Sequence, residues 1–192
     1  VALQEYLLWR EPLNVIIRYN LILSYLDAQR FEDALLLTQA TLEERPEDQF
    51  LIERVTLGKR LTGDVQGALA DADRVEDPII QLAARATAYH MLGHQEESKA
   101  AIAKLAELTE SIPQARDVLA SVYAEVGDAD AAFETLDRMV EDGTIKRMRY
   151  NEPNYLKLHN DPRWAQLMER LSSSKAQIDA IDFDVDIPSR SQ

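Results

Sequence analysis

The chain of 192 residues contains no cysteine. That excludes disulfides, thiolate metal sites and a cysteine nucleophile. It leaves the compartment open between cytoplasm and periplasm, since an oxidising compartment does not require disulfides. No apolar run approaches the roughly 18 to 20 residues that span a bilayer, so no direct membrane insertion is expected of this segment. No signal-peptide pattern is visible either. Cations are scarce: 21 Lys and Arg stand against 34 Asp and Glu, a formal net charge of −13. A nucleic-acid surface needs clustered Lys and Arg, so nucleic acid is not expected as a partner. The same charge disfavours anionic membrane surfaces, though less strongly. Only 6 glycines and 7 prolines occur, and β-branched runs are few, which favours long helices over sheet.

What is present fits that expectation. Apolar residues make up 46% of the chain, enough to bury a core, and charged residues 29%, enough to solvate a helical surface. The opening "VALQEYLLWREPLN" has no Met and is already in helical pattern, so the chain is read as an excerpt of a longer protein.

Laid against itself, the sequence repeats. Gln29-x-Phe31-x-x-Ala34 is matched at Gly63 to Ala68, at Gly93 to Ser98 and at Gly127 to Ala132. Ala34 and Ala68 are 34 residues apart, as are Ser98 and Ala132, and Pro12 and Pro46. Tyr25, Lys59, Tyr89 and Tyr123 precede the small residues at a constant offset. Leu would serve the helix as well as Ala at these places, so the small residue answers a packing need: another helix comes close, and a larger side chain would overpack the crossing. A period of this size marks a stacked repeat.

The pattern resembles the tetratricopeptide repeat (TPR), an antiparallel helix pair with a tight turn, a small residue early in the second helix and a closing proline. The resemblance covers residues 1–142. First helices are expected at 13–27, 47–61, 78–91 and 113–125, and second helices at 31–44, 65–75, 95–108 and 129–141. Residues 2–10 read as the second helix of a preceding, truncated unit. Lys59 departs from the aromatic position, and Glu76-Asp77-Pro78 shortens the second unit, dropping the spacing to 30. The expected fold is therefore all-α: a TPR-type α-solenoid of antiparallel helix pairs, with a C-terminal helical cap and an extended acidic tail. Its divisions are 1–12, the end of a truncated repeat; 13–142, four helix pairs; 143–171, a capping segment; and 172–192, a linker and tail.

In the capping segment Asp161-Pro162 opens a helix with Trp164, Leu167, Met168 and Leu171 on one face, suited to covering the open end of an array. "YLKLHNDPRWAQLMERL" resembles the closing segment of repeat arrays in large bacterial signalling proteins: membrane-anchored winged-helix regulators, adenylate cyclases and Ser/Thr kinases. "EPLNVIIRYNLILSYLDAQRFEDAL" is similar to units of the same arrays. The tail alternates Ile181, Phe183, Val185 and Ile187 with Asp182, Asp184 and Asp186, a strand-like period of two that is expected to be ordered and docked.

No catalytic or metal constellation stands out. His90 and His94 are four apart, but Gly93 falls where the helix should end, and no further ligand set follows. The tail aspartates have the spacing of a calcium loop without its glycine or terminal glutamate. Lys146, Arg147 and Arg149, the dense basic cluster of the chain, read as a solvated linker, with an acidic partner or a phosphate group as the alternative. Serines gather at 172–174 and at the last few residues without an assignable base, and no phosphate-binding glycine loop occurs. No cofactor is expected, and no enzymatic activity.

The resemblance implies instead a non-catalytic protein-interaction scaffold, the regulatory or partner-binding part of a bacterial signalling protein. A peptide or protein segment would lie in the concave groove lined by first-helix residues. Projected on the register, the groove candidates are Tyr19, Asn20, Leu23, Arg54, Leu57, Arg60, Thr87, His90 and Met91, flanked by Ile16, Asp27, Phe50, Glu53, Ala83, Ala84, Gln114, Asp117, Ser121 and Glu125. Arg54 and Arg60 would be its main cations. Family members that clamp the carboxylate tails of chaperones use Lys and Asn where this chain has Tyr19, Leu23, Arg54, Ile80 and Ala84, so that clamp is not expected. The alternative is self-association of the parent protein as a homodimer.

Overall fold

The starts of the helices are written in the residues just before them. In a computed structural model describing residues 1–113 and 115–180, Asn14 accepts from the backbone N–H groups of Ile16 and Ile17 and opens α2 (Val15–Asp27). Asp48 accepts from Leu51 N–H at the head of α4 (Gln49–Leu61), and Asp64 from Gly67 N–H at α5 (Val65–Ala72). Asp77, followed by Pro78, caps α6 (Pro78–Met91); Asp128 caps α9 (Ala129–Glu141). Each such cap satisfies orphan N–H groups and is worth about 1 kcal/mol. The remaining helices are α1 (Ala2–Arg10), α3 (Phe31–Glu44), α7 (Gln95–Ser111), α8 (Ala115–Val126), a 3-10 turn at Pro153–Leu158, α10 (Pro162–Arg170) and α11 (Lys175–Asp179). The described residues are all-helical in their regular structure, and none of their helices is long and apolar enough to cross a membrane.

The helix ends follow one design. Gly63, Gly93 and Gly127 take positive φ after α4, α6 and α8, where only glycine enters the left-handed region freely. The first unit has Gln29 there, at φ 56°. The next N–H then reaches back to the aromatic position: Arg30 to Tyr25 O, His94 to Tyr89 O and Asp128 to Tyr123 O, at 2.8 to 2.9 Å.

Small residues mark the crossings, as the sequence requires. Ala34, Ala68, Ser98 and Ala132 are all buried, and Ser98 Oγ donates to Ala86 O at 2.8 Å. Gly58 extends the rule to the next interface, since a Cβ there would meet Leu35 at 3.2 Å. Each helix from α2 to α9 packs on its neighbours in sequence; α4 also meets α6, and α6 meets α8. The core is correspondingly serial. One cluster joins α2 to α4 around Ile22, Leu26 and Leu51; another joins α6 to α8 around Leu105, Leu119 and Val122. The third packs Phe133 and Leu136 of α9 against Trp164, Leu167 and Met168 of α10.

Boundaries differ in a few places. α5 stops at Ala72, three residues short of the expected end, and Val75 is buried beyond it with its carbonyl accepting from Gln81 Nε2. α11 lies in the stretch read as linker, where Ser174 and Gln177 form a capping box and Lys175 pairs with Asp179. The alternation from 181 to 187, the calcium-loop spacing within it, and Gln114 lie outside the described residues.

Candidate functional site

Side-by-side packing of α4, α6 and α8 brings one face of each around a cavity of about 160 Å³. From α4 come Glu53, Arg54, Thr56, Leu57 and Arg60; from α6 come Ile80, Ala83, Ala84 and Thr87. From α8 come Asp117, Val118, Ser121, Val122 and Glu125. The spacing on each helix is three and four, which is what one helical face requires. The walls are apolar at Leu57, Ile80 and Val118, and charge gathers at the edges.

Its hydroxyls are turned inward on their own helices. Thr56 donates to Ile52 O at 2.8 Å, Thr87 to Ala83 O at 2.9 Å, and Ser121 to Val118 O at 2.7 Å. This back-bonding satisfies a hydroxyl in an apolar wall. The two arginines differ sharply. Arg60 is buried in an ion pair with Glu125, and its Nη2 lies 3.4 Å from Asn154 Oδ1. Burial pulls its guanidinium down to about 10, still charged at neutral pH. Arg54 lies over the Phe50 ring at 5.1 Å, 3.7 Å from Glu53, and its Nε has no acceptor among the described residues. Burial lowers the Arg54 pKa and raises those of the Glu53 and Glu152 carboxyls.

A strap from the chain's own C-terminal part forms the fourth wall. Glu152, Asn154 and Tyr155 line the cavity. Tyr155 is buried and its hydroxyl donates to both the carbonyl and Oδ1 of Asp117, at 2.9 and 2.8 Å. Burial and the adjacent Asp117 carboxylate hold its pKa well above the ordinary tyrosine value. Lys157 donates to the Glu125 carbonyl. At the other end Arg149 pairs with Asp27 of α2 at 3.1 Å and, through Nε, with Glu152 at 2.8 Å.

Of the candidate residues, Arg54, Leu57, Arg60 and Thr87 therefore meet at one cavity. Tyr19, Asn20 and Leu23 lie on α2, apart from it. Tyr19 packs its ring tilted against Phe50, centroids 4.6 Å apart, and its hydroxyl donates to Asp48, the cap of α4, so it ties α2 to α4. Asn20 is exposed and Leu23 half-buried. His90 and Met91 close α6, with Met91 49% exposed, and neither reaches the cavity. Arg60 is not an open cation: Glu125, on the groove face of α8, pairs with it, and Asn154 reaches it from outside the repeat. The strap residues Glu152, Asn154 and Tyr155 are absent from the projected groove positions, because they lie in the capping segment outside the repeat. An available signal was charge: a basic run ending at Arg149, in an acidic chain whose first helices end in Asp27 and Glu125.

Comparison with protein-family models, curated proteins and solved structures finds no match for this chain.

Proposed function

We propose that this chain is a non-catalytic interaction scaffold, a TPR-type α-solenoid that anchors a side chain of a partner segment in its concave groove. One observation carries the reading: first-helix positions projected from a 34-residue period line a common cavity across α4, α6 and α8. Sequential packing with additional α4–α6 and α6–α8 contacts supports the solenoid. Hydroxyls bonded back to their own helices support a binding role over nucleophilic chemistry. The likeness of the closing segment to bacterial signalling arrays favours a regulatory setting.

A photocrosslinking residue at Ser121, compared with one at exposed Lys99, tests this. Partners captured from Ser121 but not from Lys99, and lost with Arg54→Glu at unchanged helicity, are expected. Equal capture from both positions removes the groove from the reading.

Self-association is the second reading, and a specific surface favours it. Leu7, Trp9, Leu13 and Ile16 are exposed on α1 and around the start of α2, Leu13 at 85% and Ile16 at 67%. Large apolar side chains left exposed near one end of the helix array favour an association surface there. Sedimentation should then show a concentration-dependent dimer that the double variant Trp9→Glu, Ile16→Glu abolishes; a monomer at all concentrations ends this reading.

A further inference from the structure

We propose that the segment taken by this groove is basic: a lysine or arginine side chain enters the cavity, its stem against Leu57 and Ile80 and its charge at Glu53 and Asp117. The inference rests on the scaffold reading and names its partner class.

Charge complementarity is the first argument. Of the cavity-wall carboxylates, Glu125 is paired with Arg60, Glu152 with Arg149, and Glu53 lies 3.7 Å from Arg54, which leaves Asp117 without a cationic partner among the described residues. Asp117 is exposed and, among the described residues, its carboxylate takes only the hydroxyl of Tyr155. The whole chain carries −13, so a basic segment is also drawn in from a distance.

Size and wall chemistry agree. A cavity near 150 Å³ holds a group about the size of benzene, so 160 Å³ holds one long side chain and not a stretch of backbone. Apolar walls beneath a carboxylate rim match a side chain with an aliphatic stem and a charged head. An acidic side chain fits worse. Arg54 Nε lacks an acceptor among the described residues, but a carboxylate reaching it would come beside Glu53 and Glu152.

The chain also supplies its own precedent. Arg149, carried by a non-helical stretch, already sets its guanidinium on Glu152 of the cavity wall, Nε at 2.8 Å, and pairs with Asp27 of α2 as well. The strap thus holds one cationic position in cis, and a basic partner competes with Arg149 for it.

The test uses the full chain and two fluorescent peptides of equal length, acetyl-(Leu-Arg-Ser)₃-amide and acetyl-(Leu-Glu-Ser)₃-amide, read by anisotropy at two salt concentrations. The arginine peptide should bind, weaken with salt, and lose at least about tenfold in affinity with Glu53→Gln plus Asp117→Asn, both isosteric. Ser121→Phe, which plugs the cavity without changing charge, should weaken it comparably. Arg149→Ala should tighten it about two- to fivefold, the reach of one surface ion pair. Matched melting curves show that the variants are folded. Equal or tighter binding of the glutamate peptide, no binding of the arginine peptide, or arginine-peptide affinity indifferent to these variants overturns the proposal. Partners crosslinked from Ser121 through acidic or neutral segments would leave the scaffold standing and remove the basic class. Variant-sensitive binding of the arginine peptide without any Ser121 crosslink would keep the charge preference and remove the scaffold reading.

Discussion

Two nine-residue helices, α1 and α10, each carry one of the chain's two tryptophans, and the structure treats them oppositely. Trp164 of α10 is 1% exposed; Trp9 of α1 is 44% exposed, and α1 buries no residue at all. The sequences explain part of this. In α10 the apolar residues Trp164, Leu167 and Met168 follow a single stripe, while Arg163, Glu169 and Arg170 face away. In α1 Tyr6, Leu7, Leu8 and Trp9 are consecutive, so no one neighbour can cover them. The polar anchoring differs as well. Arg163 lies over Phe133 at 4.4 Å and pairs with Asp130, and Arg170 pairs with Asp137, fastening α10 to α9 at both ends. α1 is fastened through Glu5, which accepts from Tyr25 and Arg30. Burial on a ready partner, more than apolar content, separates a helix that closes a core from one that presents a surface.

The largest effect should come from removing the two indoles. Trp164→Ala is expected to cost about 3 to 5 kcal/mol in chemical denaturation, the range for an aromatic deleted from a packed core. Trp9→Ala should change stability by less than about 1 kcal/mol. Similar losses at both positions would mean that α1 is as integral to the fold as α10, and the comparison would break.

A smaller effect should sharpen the same contrast by pH. His159 stacks on Trp164 at 5.0 Å and beside Tyr150 at 5.1 Å; burial lowers its pKa, against a backbone hydrogen bond with Tyr150 that raises it. A depressed folded pKa means the unfolded chain takes the proton first. Stability from this group is therefore fully present above the ordinary histidine value of about 6.5 and lost as pH falls through the folded value. Melting of the wild type minus that of His159→Gln should show this acid loss, and indole fluorescence should place it at Trp164. Glu53, Glu152 and Asp27 have raised pKa values and act with the opposite sign at lower pH, so the difference between the two proteins is the quantity to read. A flat difference between pH 7 and 5 would detach His159 from the cap.

Helix positions were legible because their causes are local. Asp or Asn caps, Pro78 and Pro162 at first helical positions, and glycines at the left-handed turns act within a few residues. The crossings were legible too, because a repeat spaced 34, 30 and 34 residues places Ala34, Ala68, Ser98 and Ala132 in one structural role whatever the surrounding sequence. Even the cavity's helical walls, from Arg54 to Glu125, follow from helical spacing once the period is known.

The sequence by itself thus determined the helices from α1 to α10 and their order, since caps, turns and side-chain periods are set by near neighbours. Only the tertiary structure decided which of their faces stay open. Arg60 meets Asn154 across 94 residues and Arg149 meets Asp27 across 122, separations that no repeat period relates. Whether the cavity stays open on its fourth side depends on where a distant strap comes to rest, and that is settled by the packing of Tyr155 and Trp164 against α8 and α9.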